Sequence, residues 1–164
     1  MDTIQALLPK TLEAKKLWAQ QVCSLAKDNL VRGNKIATGQ LLNSITYEID
    51  LSTGDILFMY DEYGDFVEDG RRPGRMPPIE PIRMWAKVKG LQGRDKKGRF
   101  ITDESLAWAI ATSIKKNGIP AYPFYQMAID EAIAQLVPEL ENATVLDLEN
   151  IFDQEVANSG HMNF

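Results

Sequence analysis

The chain has 164 residues, of which 45% are apolar and 25% are charged, and this composition predicts one folded domain with its own core. It contains one cysteine, Cys23, and one histidine, His161, so an internal disulfide, a cysteine metal cluster and a histidine-based catalytic triad lack the residues they need. No apolar run is long enough to predict a membrane span, and the first residues, MDTIQALLPK, lack the features of a signal peptide.

Helical spacing of apolar residues predicts a first helix from residue 3 to about residue 32, with Gly33 and Asn34 as its end. Cys23 falls near the apolar stripe of this helix and is predicted to be a buried core residue. Alternating apolar and polar residues then predict two strands, 41–51 and 55–59, joined as a β-hairpin by the turn sequence STGD. A third short strand is predicted at 63–67, where neighbouring acids would protect a sheet edge.

The stretch EDGRRPGRMPPIEP, residues 68–81, is predicted to be a stiff, extended loop, because each proline fixes φ and cannot donate to a sheet. A helix is expected from about Ile79 to Gly90, followed by a basic excursion at 92–102 that turns at Lys97 and Gly98. Asp103 is the predicted N-cap of a helix over 104–117.

The connector IPAYPF is predicted to line the core, with Tyr122 and Phe124 as anchors of the last main helix. That helix is predicted over 123–136, since Pro138 should break it. Residues 1–138 are accordingly expected to form one domain, and residues 139–164 an acidic extension.

The net charge of −5 conceals a strong segregation of charge along the chain. Residues 71–99 hold ten basic residues against two acidic ones, a net charge of +8, which leaves −13 for the rest; residues 130–164 hold eight acids and no lysine or arginine. Because local fields govern association, these two segments are candidate interaction surfaces. The basic candidates are Arg71, Arg72, Arg75, Arg94, Lys96, Lys97 and Arg99, and the apolar docking candidates of the acidic segment are Leu148, Ile151 and Phe152.

The acidic stretch DEYGDFVEDG, residues 61–70, raises the question of a metal site. Its spacing does not match an EF-hand loop, which requires oxygen ligands at alternating positions and a later glutamate. Neither a phosphate-binding motif nor an activated nucleophile is recognisable in the chain. We therefore expect no catalytic residue, no metal and no cofactor.

Three short motifs, taken in order, resemble the neck and tail-completion proteins of tailed double-stranded DNA bacteriophages. They are ATGQLLNSI at 37–45, FVEDGRRPG at 66–74 and PAYPFYQMAIDEA at 120–132. The stretch PPIEPIRMWAKVKGL, followed by SLAWAIATSIKKNGIPAYPF, resembles an insertion in the longer members of that family.

The resemblance implies an α+β fold in which a small antiparallel sheet packs against a long N-terminal helix and a C-terminal helix, with a two-helix insertion. It also implies a structural virion protein, made in the bacterial cytoplasm, that forms a six- or twelve-fold ring in the neck or upper tail. Such a ring joins the portal and head to the tail and lines or seals the channel through which DNA passes. Its partners would be further copies of the chain, portal, connector or tail proteins, and passing DNA contacted without sequence preference, with no membrane involved.

Two other functions remain open from the residues alone. A nucleic-acid-binding adaptor would use the basic block for phosphate contacts, which need charge and reach but no fixed motif. A metal-dependent nuclease would use the acids at 61–69 beside the basic loop. Within a ring, the basic block could face either the DNA or the acidic C-terminal segment of the next subunit.

Overall fold

The computed structural model describes residues 8–159 of the chain, so the predicted helix start at residue 3 and His161 lie outside the described residues. The described part contains six helices and two strands. In chain order they are α1 (Pro9–Arg32), α2 (Gln40–Ser44), β1 (Thr46–Ile49), β2 (Ile56–Met59), α3 (Tyr63–Glu68), α4 (Ile79–Val88), α5 (Asp103–Asn117) and α6 (Phe124–Ser159). None of these helices is both long enough and apolar enough to cross a membrane.

The predicted α+β class is confirmed. Strands β1 and β2 form an antiparallel hairpin whose register pairs Thr46 with Met59 and Ile49 with Ile56. Long helices lie near both ends of the described chain. The described residues divide into two compact units: the first contains 8–28, 45–59 and 125–159, and the second contains 29–44 and 60–124.

In the first unit, the hairpin packs against α1 and α6 through aromatic rings. Phe58 of β2 meets the ring of Trp18 at 5.7 Å between centroids and the ring of Tyr125 at 5.4 Å, both in edge-to-face geometry. Fully buried alanines on both helices, such as Ala19 and Ala132, supply the rest of this core. Cys23 is buried, as predicted.

In the second unit, α4 and α5 pack against each other, as expected for the predicted pair of helices. Phe124 is fully buried there, in edge-to-face contact with Tyr60 at 5.7 Å. The Tyr122 hydroxyl donates to the carbonyl oxygen of Asn29 at 3.0 Å, and the Asn29 amide donates to the Phe124 carbonyl oxygen at 2.9 Å. The connector IPAYPF therefore anchors α6, as its prolines and aromatics predicted.

Two segments predicted as strands are helical. Residues 63–67 belong to α3, because the Asp61 carboxylate accepts the Tyr63 N–H at 3.0 Å and its carbonyl oxygen accepts the Gly64 N–H at 2.7 Å. These local hydrogen bonds start a turn in place of a ladder, so the acids there do not protect a strand edge. The first predicted strand likewise begins only at Thr46, since Thr38 and Gly39 start α2 ahead of it.

Two helix ends also differ from the predictions. Thr102, one residue before Asp103, caps α5, and its hydroxyl accepts the Ser105 N–H at 3.2 Å. Helix α6 continues through Pro138 to Ser159. A proline inside a helix costs about 3 kcal/mol, and the residues that follow offset this cost because Ala143 and Asp147 are buried in the first unit. The division into a domain of 1–138 and an extension stays a prediction.

Candidate interaction surfaces

The basic loop at 70–75 is clamped onto the C-terminal end of α5. The main chain of Arg71 pairs in both directions with that of Ile119 at 2.8 Å, and the Gly74 N–H donates to the Lys115 carbonyl oxygen at 2.8 Å. Gly118 adopts φ +74, and a Cβ there would collide with the Arg71 carbonyl oxygen. The stiffness predicted from the prolines is therefore reinforced by hydrogen bonds to a second segment.

This clamp fixes the positions from which three arginines project. Arg71 donates to the Arg75 carbonyl oxygen at 3.2 Å, while Arg72 and Arg75 are exposed. Among residues 8–159 the ion pairs are Arg83 with Glu80 and Arg99 with Asp95, so none of the three loop arginines is paired with an acid in this part of the chain. The loop can contact an anionic partner, either carboxylate or phosphate, without first releasing an internal one.

The second group of predicted basic residues lies on a short hairpin, residues 93–101. Arg94 and Phe100 form an antiparallel bridge, the Ile101 N–H donates to the Gly93 carbonyl oxygen at 3.0 Å, and the turn closes at Gly98 with φ +78. The predicted turn at Lys97 and Gly98 is thus confirmed. The Arg94 guanidinium stacks over the Phe100 ring at 3.9 Å, which stiffens the base of the hairpin.

The four basic side chains of this hairpin differ in whether they already have a partner within it. Arg94 donates to the Gly98 carbonyl oxygen at 2.8 Å, and Arg99 pairs with Asp95 at 2.9 Å. The pKa of the Asp95 carboxyl is lowered, chiefly because its ionised form accepts a hydrogen bond from the backbone N–H of Arg99. This acid therefore stays ionised beside the turn. Lys96 and Lys97 are exposed at the tip, and no ion pair within the described residues involves them.

The apolar candidates of the acidic segment lie on the second half of α6. Phe152 is 67% exposed and Leu148 is 45% exposed, whereas Ile151 is half-buried. Val145, Leu148 and Phe152 follow one another at spacings of three and four residues and therefore share one face of the helix. This exposed stripe faces away from Ala143 and Asp147, which are buried in the first unit.

Asp147 is one of the eight acids of residues 130–164, but it is buried and is therefore not available to a partner. Its carboxylate accepts hydrogen bonds from the Thr11 N–H at 2.8 Å, the Thr11 hydroxyl at 2.8 Å and the Lys10 N–H at 3.1 Å. It therefore satisfies main-chain donors in the first turn of α1, which would otherwise lack partners. Burial alone would raise the pKa of Asp147, but these hydrogen bonds outweigh burial and hold that pKa below 3.8.

An apolar cavity that was not predicted from the sequence lies beside α4, within the second unit. The cavity has a volume of about 310 Å³ and is lined mainly by apolar side chains, among them Leu42, Tyr63, Pro81, Met84, Trp85 and Val88. The signal was present in the spacing of Pro81, Met84, Trp85 and Val88, which repeats every three to four residues along a face distinct from the buried Ala86. The spacing of Ile82, Trp85 and Ala86 alone predicts a single apolar face, but Ala86 is buried and Trp85 is exposed.

The acids at 61–69 are used in local contacts. Asp61 accepts a hydrogen bond from the Gln40 amide at 2.6 Å in addition to that from Tyr63. Burial, together with a hydrogen bond to Asp65, raises the pKa of Tyr60 to about 12. Within residues 8–159, no group of three or more acidic, histidine or cysteine side chains is arranged to hold a metal ion.

The second unit thus presents two basic elements, the loop at 70–75 and the hairpin at 93–101, together with an apolar cavity beside α4. The first unit presents the exposed stripe of α6 with its flanking acids. Comparisons with family models, curated proteins and solved structures found no match to this chain.

Proposed function

We propose that the protein is a structural subunit of the neck or upper tail of a tailed bacteriophage. Copies form a six- or twelve-fold ring that joins the portal and head to the tail and lines or seals the DNA channel. The proposal combines the motif resemblance described above with the way those motifs meet in the fold.

The observation that carries the proposal is a set of hydrogen bonds, within the second unit, that involve parts of all three motifs, residues 37–44, 66–74 and 120–124. The Ser44 hydroxyl of the first motif accepts the Asp61 N–H at 2.9 Å, just ahead of the second motif. The Val67 carbonyl oxygen of the second motif accepts the Tyr122 N–H of the third at 2.8 Å. The second and third motifs are therefore joined by a main-chain hydrogen bond, and the first is bonded to the segment that leads into the second, which supports a shared fold over chance matches of short motifs.

A second line of support is the chemical difference between the surfaces that the two units expose. A closed ring with one kind of subunit requires each copy to use two different patches, which meet head to tail. The basic loop and hairpin of the second unit are one such patch, and the acidic and apolar stripe of α6 in the first unit is another. A loop already clamped by hydrogen bonds also loses less conformational entropy when it enters a contact.

The experiment that tests the proposal is interruption of this gene in the phage that encodes it. We expect DNA-filled heads and separate tails that fail to join, because the ring supplies the joint between them. Electron microscopy of lysates and complementation with the intact gene measure this directly. Normal, infectious particles without the protein would refute the proposal.

The nucleic-acid-binding adaptor remains a second candidate because of one observation, the exposed Lys96 and Lys97 at the tip of a stiffened hairpin. An adaptor should bind duplex DNA as a monomer, with an affinity that falls steeply with salt. Strong binding by the monomer at physiological salt, together with absence from virions, would favour the adaptor over the ring subunit.

A further inference from the structure

The cavity beside α4 opens onto an exposed apolar stripe of this helix. Met84, Trp85 and Val88 line the cavity and are all exposed, although each is large and apolar. Residues 35–42, which comprise the segment that leads into α2 and the start of α2 itself, also line the cavity. A concave apolar site of this size, bordered by large exposed side chains, can receive one aromatic side chain from a partner.

One lysine lines this cavity and two more lie near the exposed stripe in sequence. Lys35 lines the cavity, Lys87 lies in the last turn of α4, and Lys89 is the residue that directly follows this helix. Lys89 is held in place by hydrogen bonds to Asn34, at 3.1 Å to its amide oxygen and 3.3 Å to its carbonyl oxygen. Asp61 is the acid among the lining residues, and it already accepts hydrogen bonds from Gln40 and Tyr63.

The stripe on α6 has the complementary composition. Val145, Leu148 and Phe152 form its apolar centre, and all three are exposed. The acids Glu149 and Asp153 lie on the same half of the helix, Glu141 lies one turn before Val145, and no lysine or arginine occurs after residue 129. The helix carrying the stripe is anchored by the buried Asp147, so its exposed face is presented in a fixed orientation relative to α1.

We infer that the cavity beside α4 receives the α6 stripe of a second copy of this chain, with Phe152 as the side chain that enters it. The inference rests on the proposed ring function, because a ring needs one surface of each copy to fit a different surface of the next. Apolar contact supplies the affinity, and the lysines facing the acids set the register and reject wrong partners. The contact is therefore between α4 of one copy and α6 of another, and the basic hairpin at 93–101 is left available for other partners.

The site beside α4 fits the α6 stripe better than the basic hairpin at 93–101 does. The hairpin at 93–101 has charge, but none of its residues lines the cavity beside α4, and its Arg99 is already paired with Asp95. The site beside α4 combines charge of the required sign with an apolar cavity. An amphipathic helix that binds a groove through residues spaced three and four apart is a common recognition mode.

A site-specific photo-cross-linker at position 152 of the full chain tests the inference. The labelled chain is mixed with isotopically heavy wild-type chain at the highest soluble concentration, so that cross-links between copies are identified by mass. We expect cross-links to heavy peptides containing residues 81–88. Cross-links to other regions, or none between copies, would overturn the inference.

Matched variants provide the second measurement. Phe152→Ala and Leu148→Ala should each reduce the yield of this cross-link or the self-association constant at least about tenfold, the effect of losing a central interface residue. Leu146→Ala is the control, because Leu146 is 46% exposed on a different face of the same helix while Leu148 is 45% exposed on the stripe. On the other surface, Trp85→Ala should act like Phe152→Ala, and Trp108→Ala on α5 is the control. Equal effects of Leu148→Ala and Leu146→Ala would contradict the inference.

Point variants are required here because deletion of residues 139–164 would also remove Asp147 and expose the first turn of α1. The inference and the proposed function can fail separately. If the protein is found as a ring in virions but position 152 cross-links elsewhere, only the docking site is wrong. If the cross-link forms in solution but the protein is absent from virions, the contact is real and the proposed function is wrong.

Discussion

The carboxylate of Asp147 accepts the main-chain N–H of Thr11 at 2.8 Å, although the two residues are 136 positions apart in sequence. This contact joins the second half of α6 to the first turn of α1. It explains why an acidic segment that follows a proline forms an ordered helix, and it fixes the face on which the apolar stripe is exposed.

Replacement of Asp147 by alanine should destabilise the protein by about 1–3 kcal/mol, because two main-chain donors and the Thr11 hydroxyl would lose their acceptor. Urea denaturation measures the change in the free energy of unfolding. Asp153→Ala is the control, since Asp153 is an exposed acid on the same helix and its removal should change stability by less than about 0.5 kcal/mol. Equal effects of the two variants would contradict the role assigned to Asp147.

The stabilisation that Asp147 contributes to the folded state should be lost at low pH and not at high pH. Its pKa is lowered in the folded state, so the stabilisation is fully present above the unfolded pKa of 3.8 and is lost as the pH falls through the lower folded value. The difference in unfolding free energy between wild type and Asp147→Asn should therefore be constant from pH 7 to about pH 5 and shrink below about pH 4. A difference that grows on acidification would show that the sign is wrong.

Gly118 should tolerate no side chain, whereas Gly98 should tolerate alanine at a smaller cost. Both adopt positive φ, +74 and +78, but a Cβ at Gly118 would collide with the Arg71 carbonyl oxygen, while one at Gly98 would meet open space. We expect Gly118→Ala to cost at least about 2 kcal/mol and Gly98→Ala about 1 kcal/mol, measured by thermal or urea unfolding. Similar costs would show that the clamp between the basic loop and residues 118–119 is not rigid.

Lys96 and Lys97 should dominate contacts of the hairpin with DNA, because Arg94 and Arg99 are engaged within it. Replacing both lysines by alanine should lower affinity for duplex DNA about equally for all sequences. It should also reduce the slope of log affinity against log salt by about 2. Fluorescence anisotropy over a range of salt concentrations measures this, with simultaneous replacement of the exposed Lys10 and Lys16 on α1 by alanine as the control. An unchanged slope would exclude the tip as a phosphate contact.

Much of the fold could be predicted from local patterns in the sequence. The apolar spacing of α1, the STGD turn, the Lys97 and Gly98 turn and the aromatic connector each depend on neighbouring residues, and the structure confirms each of them. Segments 41–44 and 63–67 were predicted wrongly, because side chains such as Asp61 and Thr38 accept nearby N–H groups and start helical turns. Alternation of apolar and polar residues carries no information about such bonds.

The largest errors came from contacts distant in sequence. Pro138 does not end α6, because residues beyond it are buried against a helix that begins at Pro9. Asp147 looked like one solvated acid among eight, and nothing near it in sequence indicates that its acceptor atoms serve Lys10 and Thr11. The cavity beside α4 was missed for a different reason, since one helix carries two apolar faces and the pattern alone does not say which is buried.

The proposed ring in the neck or upper tail of a virion can be observed directly. Cryo-electron microscopy of the particles that encode it, with reconstruction of the region between the portal and the tail, tests this claim most directly. We expect density for six or twelve copies arranged in a ring, each with the fold described above. A reconstruction that holds one isolated copy, or particles from which the protein is absent, would contradict it.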